Sequence, residues 1–203
     1  MIRSKTEKII WSGLLMTIVF LIRTSDHMPN VVPVAAIALW AGAVWPMPGA
    51  TIVPLTAMLM ADVIIGLASW PVMLAVYLSY GLITGMGRWM KKRFSPGRIA
   101  GSALMGAVVF YLITNAAVWW FDGMYPRTMD GLILSYFYAL PFFRSTLLGD
   151  LAYTSSLFVS WYSWPIAASW VTEKVWGKRR AESLVLRTET KLAEVEKLHE
   201  NVV

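Results

Sequence analysis

The chain has 203 residues, of which 57% are hydrophobic and only 15% are charged, and its mean hydropathy is +0.57. A soluble domain of this length needs more polar surface, so the composition predicts an integral membrane protein. The net charge of +6 lies in short basic runs between apolar segments. That arrangement is typical of membrane topology and does not indicate a nucleic-acid partner. Because the chain has no cysteine, disulfides, thiolate metal sites and cysteine nucleophiles are excluded.

Six apolar segments, separated by glycine, proline or charged residues, predict an all-α integral membrane protein with a six-transmembrane-helix bundle. The segments are Ile9 to Ile22, Val31 to Trp45, Ala50 to Leu67, Val72 to Met90, Ile99 to Phe121 and Leu147 to Val171. The first segment lacks the small-residue cleavage site of a signal peptide, so we expect a retained helix. The first two segments are short for a hydrocarbon core of about 30 Å.

The distribution of Lys and Arg predicts the orientation of the bundle. The N-terminus, the connection between the fourth and fifth segments and the C-terminal tail carry most of the basic residues. By the positive-inside rule these three parts are cytoplasmic, so both termini are expected in the cytoplasm. The three remaining connections are then outside.

Two segments outside the six spans are predicted to be amphipathic or interfacial. The outer connection from Asp122 to about Ser145 contains the apolar run Leu132 to Leu140, which is too short to span and is expected to form a lid. Residues 172–203 follow the transmembrane domain of residues 1–171 and have apolar residues at helical spacing. They predict a cytoplasmic amphipathic helix, either solvated near the inner leaflet or bound to a partner helix.

Polar residues near the outer ends of three segments predict a binding pocket. At 1.5 Å per helical residue, Asp62, Asn115 and Asp150 each lie about 6 to 7 Å below the outer boundary. Ionised groups are costly inside a membrane and are usually functional there, so we expect an outward-facing polar pocket. Arg144 is expected at its rim, paired with Asp62 or Asp150. The alternative is that these residues only join helices by hydrogen bonds, or that Asp150 stabilises a helix start capped by Ser145 or Thr146.

The remaining predicted ligand-binding residues are Asn30, Tyr80 and Tyr153, and His27 is a candidate for a further ligand contact. No second His or Cys lies near His27, so neither a metal site nor a cofactor is expected. Paired aspartates occur in intramembrane proteases, but a catalytic pair should lie near mid-membrane without a competing arginine. We therefore expect no catalytic residues and no enzymatic activity.

Several short motifs together resemble a bacterial membrane family related to the substrate-binding S-components of energy-coupling-factor (ECF) vitamin transporters. They are Asn30-Val-Val-Pro33, Asp62, Tyr77-Leu-Ser-Tyr80, Thr114-Asn115, Tyr125-Pro126 and the run from Pro141 to Asp150. The resemblance covers about residues 8–171. It implies six helices in the bacterial inner membrane, a micronutrient pocket near the extracellular side, and an ECF-type energising module as a partner.

Within that group the pattern is closest to BtuM-type cobalamin transporters, which implies cobalamin or another corrinoid as the ligand. The chain departs from this group in having no cysteine for cobalt, and its first helix offers Gly13 and Thr17 instead of an alanine docking face.

These observations predict a protein that takes up a vitamin or related micronutrient, and that binds this ligand without changing it chemically. The alternative is a structural or accessory subunit that contacts other membrane subunits, which the Trp-rich segments and the amphipathic tail would fit.

Overall fold

The computed structural model describes residues 5–25, 30–45, 49–91 and 93–200. Within these ranges the chain forms helices and no strands, which confirms the predicted all-α class. The helices are α1 (Lys5–Thr24), α2 (Val34–Val44), α3 (Gly49–Ile65), α4 (Trp70–Met90), α5 (Pro96–Phe121), α6 (Met129–Trp176) and α7 (Lys178–Glu200).

Three of the described helices are long and apolar enough to cross a membrane, and they identify a helical membrane protein. The spans are Trp70–Met90, Pro96–Phe121 and Met129–Trp164. The apolar part of α1 and the whole of α2 and α3 are shorter. With 11 residues, α2 is only about 16 Å long, against a hydrocarbon core of about 30 Å. The described helices therefore do not confirm six full spans.

The predicted outer connection from Asp122 to Ser145 is too long, and the lid is not a separate element. The chain turns only between α5 and α6, and α6 then continues unbroken through Pro141. The hydroxyls of Ser145 and Thr146 donate to the carbonyls of Pro141 and Phe142, at 3.3 and 2.9 Å, and cap no helix start.

Packing explains why α6 continues through its proline. Buried side chains recur at helical spacing on both sides of Pro141, including Ser135, Ala139, Asp150 and Thr154. One face of the helix is thus held against the bundle over several turns. Proline inside a membrane helix is tolerated when neighbouring groups satisfy the freed backbone.

The chain separates into two compact units between Leu157 and Phe158. The first unit contains α1 to α5 and the first part of α6, and it holds the site described below. The second contains the rest of α6 and α7, which lies within the predicted tail. The predicted domain boundary between residues 171 and 172 stays a prediction.

The short helix α2 is enclosed by its neighbours, and its tightest contact is with α4. Every residue of α2 from Val34 to Ala43 is buried. A Cβ atom on Gly42 would lie 1.9 Å from the Thr84 carbonyl oxygen, and one on Gly87 would lie 2.0 Å from the Leu39 carbonyl oxygen. The two backbones therefore touch at a crossing that only glycine permits, as small residues do in membrane helix pairs.

Two connections lie together at one end of the bundle, here called the α3–α4 end. Gly66 closes α3 with a φ of +121°, and its amide donates to the Asp62 carbonyl at 2.9 Å. The Ser69 hydroxyl then donates to Asp122, which follows α5, at 3.1 Å. The α3–α4 and α5–α6 connections are thus joined, while the α4–α5 connection lies at the opposite end of the α4–α5 pair.

We expect Gly42→Ala and Gly87→Ala each to lower the free energy of unfolding by about 1 to 3 kcal/mol, because an added methyl group must push two backbones apart. Thermal unfolding of the purified protein in detergent measures this. Gly85→Ala is the matched control on α4, since a Cβ there meets nothing within 4 Å. Equal stability of the three variants would contradict the glycine crossing.

Candidate functional site

A cavity of about 270 Å³ opens among the helices of the first unit, near the α3–α4 end. Its lining combines a few polar groups with a mainly apolar surface. Its residues are Arg23, Asn30, Val32, Ala35, Met58, Asp62, Ile65, Gly66, Ala68, Val72, Met73, Val76, Tyr80, Phe110, Thr146 and Asp150. Four of the predicted ligand-binding residues, Asn30, Asp62, Tyr80 and Asp150, thus line one cavity.

Asp62 lies at the centre of a polar network that joins three helices. Its Oδ1 forms a salt bridge with Arg23 of α1, and its Oδ2 accepts a hydrogen bond from the Tyr77 hydroxyl of α4 at 3.0 Å. The side chains of Arg23 and Asp62 are 18% and 11% exposed. Both carboxylate oxygens of Asp62 are therefore engaged, as expected for polar groups that hold membrane helices together.

The predicted salt bridge between Arg144 and Asp62 or Asp150 is wrong. Arg144 is exposed on α6 and forms no ion pair within the described part of the chain. The sequence placed it at the rim because a helix was expected to begin just after it. Since α6 begins at Met129, Arg144 is held on the outer surface of a continuing helix, and Arg23 at the end of α1 pairs with Asp62 instead.

Asp150 is in a different situation from Asp62. It is only 4% exposed, and its Oδ2 has no hydrogen-bond partner among the described residues. A buried polar atom without a partner is uncommon and costly, and a carboxylate is the costliest case. The Asp150 carboxylate therefore presents an unused acceptor in the cavity lining.

Two aromatic rings form the deep wall of the cavity. Tyr80 is buried, and its ring centroid lies 5.2 Å from that of Phe110. Tyr80 lies ten residues after Trp70, so it is about 15 Å from the start of α4. The cavity thus reaches about half-way along α4, a helix long and apolar enough to cross a membrane. The predicted depth of Asp150 was counted from a helix start near Leu147, whereas α6 begins at Met129. The common level of the polar groups therefore stays a prediction.

The remaining predicted site residues lie elsewhere. The Asn115 amide donates to the Tyr111 carbonyl at 2.8 Å, and the Asn115 carbonyl accepts from Ser135 of α6 at 3.0 Å. Asn115 thus belongs to the contact between α5 and α6. Tyr153 is half-buried on α6 and is not among the cavity-lining residues. His27 lies outside the described residues.

The sequence analysis missed the contributions of Arg23 and Phe110. Arg23 was not among the predicted site residues, although its position at the end of the first apolar segment matches the level of Asp62 near the end of the third. That match in level was the available signal. No signal in the sequence indicated Phe110, because the direction of its side chain on α5 is set by packing against Tyr80.

Comparison with protein families gives one match. A family model described as a family of unknown function (DUF6580) matches residues 3–170. The chain belongs to that family. The DUF6580 match takes in every residue of the cavity lining and ends before α7 begins at Lys178. Neither curated proteins nor solved structures gave a match, and the resemblance to S-components stays a prediction.

We expect Arg23→Met and Asp62→Leu each to destabilise the protein by about 2 kcal/mol, less than the loss of a fully buried ionic partner because both side chains are partly exposed. The double variant should lose less stability than the two single variants lose together, since it leaves no buried charge without a partner. Thermal unfolding of the four proteins measures this coupling. Arg144→Met, the exposed control, should change stability by no more than about 0.5 kcal/mol; additive losses would contradict the network.

Proposed function

We propose that this protein binds a vitamin or related small micronutrient from outside the cell and serves its uptake, without changing it chemically. The observation that carries the proposal is the cavity, in which an apolar and aromatic lining surrounds a few fixed polar groups. Small-molecule sites have this composition, with polar groups orienting the ligand and apolar walls burying it. The buried and unused oxygen of Asp150 distinguishes this lining from a mere packing defect.

The charges at the two ends of α4 support an outward-facing cavity. Exposed basic residues cluster at the α4–α5 connection, where Arg88, Lys91 and Arg93 lie. The positive-inside rule makes that end cytoplasmic, so the α3–α4 end and the cavity mouth face outward. In this proposal α1 to α6 are all embedded in the inner membrane, the shorter helices held by the longer ones, and both termini are cytoplasmic.

The size of the cavity favours a small ligand. About 270 Å³ is slightly below the range of about 300 to 1,000 Å³ that is usual for small-molecule sites. A compact vitamin or a vitamin precursor fits this volume. A corrinoid, the ligand implied by the resemblance, is far larger and would bind only if the α3–α4 end opened further.

If the protein works as an S-component does, its partner in uptake is an ECF-type energising module. The face of α1 that would dock carries Gly13 and Thr17, and both are exposed. The Thr17 hydroxyl donates to the Gly13 carbonyl at 2.8 Å, so this face presents few free polar groups. Co-purification with such a module tests this part separately from ligand binding.

A calorimetric or thermal-shift screen of vitamins and their precursors on the purified protein tests the proposal. We expect at least one compound to bind and to raise the unfolding temperature. Val76→Phe, which fills the cavity from α4, should abolish this response. Leu78→Phe, two residues away and 57% exposed, should keep it.

Two results would overturn the proposal: no response to any compound in the screen, or the same response in the wild type and in Val76→Phe. The first result, combined with a stable high-mass assembly on native gels, would favour the structural or accessory subunit. In that case the Arg23, Asp62 and Tyr77 network would serve only to join helices.

A further inference from the structure

We infer that the cavity takes a small organic cation, whose positively charged nitrogen binds Asp150 and lies against the rings of Tyr80 and Phe110. The inference rests on the proposed function and narrows it to one chemical class of ligand. It follows from the balance of charge in the lining, the free oxygen of Asp150 and the aromatic wall.

Among the described residues, the charged side chains of the lining are Arg23, Asp62 and Asp150, which leaves this part of the lining short of one positive charge. Arg23 and Asp62 neutralise each other through their salt bridge, and the Tyr77 hydroxyl occupies the remaining oxygen of Asp62. Asp150 is thus the uncompensated group, and its Oδ2 has no partner among the described residues. A cationic ligand supplies both the missing charge and the missing donor.

Burial makes this preference strong. Asp150 is 4% exposed, so little water competes for its carboxylate. Charge interactions become stronger as the local dielectric constant falls, so they are stronger in this buried site than at a surface. An anionic ligand would face the same carboxylate, and the charge of Arg23 is already offset by Asp62. Arg23 would offer such a ligand only its Nε–H, which has no partner among the described residues.

The aromatic wall adds a second element of cation recognition. The rings of Tyr80 and Phe110 both line the cavity, with centroids 5.2 Å apart. The face of an aromatic ring carries partial negative charge and attracts a nearby cation, most strongly where water is excluded. Carboxylate and rings together favour an ammonium, an amidinium or a protonated heterocycle that has an apolar body.

A divalent metal ion fits the lining less well. The described residues contain no group of three or more His, Cys, Asp or Glu side chains placed to hold a metal. Calcium takes about six to eight oxygen ligands, several of them from carboxylates, and magnesium binds one or two carboxylates together with waters and substrate phosphates. With Asp62 engaged, Asp150 would be the sole free carboxylate that the described lining offers.

The test uses three probes of nearly the same shape: benzamidine, benzamide and benzoate, which are positive, neutral and negative. Calorimetric titration of the purified full-length protein should show that benzamidine binds at least tenfold more tightly than benzamide, with no binding of benzoate. Asp150→Asn should remove this preference, and Asp150→Glu should keep most of it. If Asp150→Asn does not fold, the three probes on the wild-type protein still decide the question.

Equal affinity for benzamidine and benzamide, or tighter binding of benzoate, would overturn the inference. So would stabilisation by sodium or potassium ions alone, at constant ionic strength, without any by benzamidine. A neutral or anionic vitamin from the screen that binds equally well to wild type and Asp150→Asn would overturn the cation assignment and leave the proposed function standing. Failure of every probe and every vitamin would overturn both.

Discussion

The cost of removing charge from water is the constraint on which this structure depends. Arg23, Asp62 and Asp150 lie within an apolar helical bundle, where an ionised group is stable only with a partner. The bundle meets this demand for Asp62 by bringing Arg23 from α1 and Tyr77 from α4 to its two oxygens. The bundle supplies no such partner for Asp150, because the Asp150 Oδ2 has none in the part of the chain that the structure describes. In the proposed function, Asp62 has the structural role and Asp150 has the binding role.

Close packing of α2 makes the cavity possible. The crossing at Gly42 and Gly87 brings the backbone of α2 against α4 and fixes the short helix inside the bundle. Residues at its opposite end, Val32 and Ala35, then reach the cavity wall. The fold thus links a backbone contact at one end of α2 to a site at the other.

The sequence predicted the class of the protein and the polar residues of the site better than their geometry. Composition was enough to predict a helical membrane protein. Because charged residues are rare in apolar segments, Asp62 and Asp150 could be predicted as site residues. Which arginine pairs with Asp62 depends on side-chain direction and helix contacts. Arg144 was the expected partner, and the structure has Arg23 in that place. The sixth span was expected to begin at Leu147, whereas α6 begins at Met129 and tertiary packing carries it through Pro141.

In the proposed function, a cavity open to water on the outer side extends to the level of Val76. The chain has no cysteine, so single cysteines can be introduced without background. The most direct measurement is labelling of Val76→Cys in intact cells by a membrane-impermeant maleimide, with lipid-facing Leu78→Cys as the control. We expect Val76→Cys to be labelled from outside and Leu78→Cys to remain unlabelled. Protection of Val76→Cys in intact cells, with labelling only after the cytoplasmic face is exposed, would contradict it.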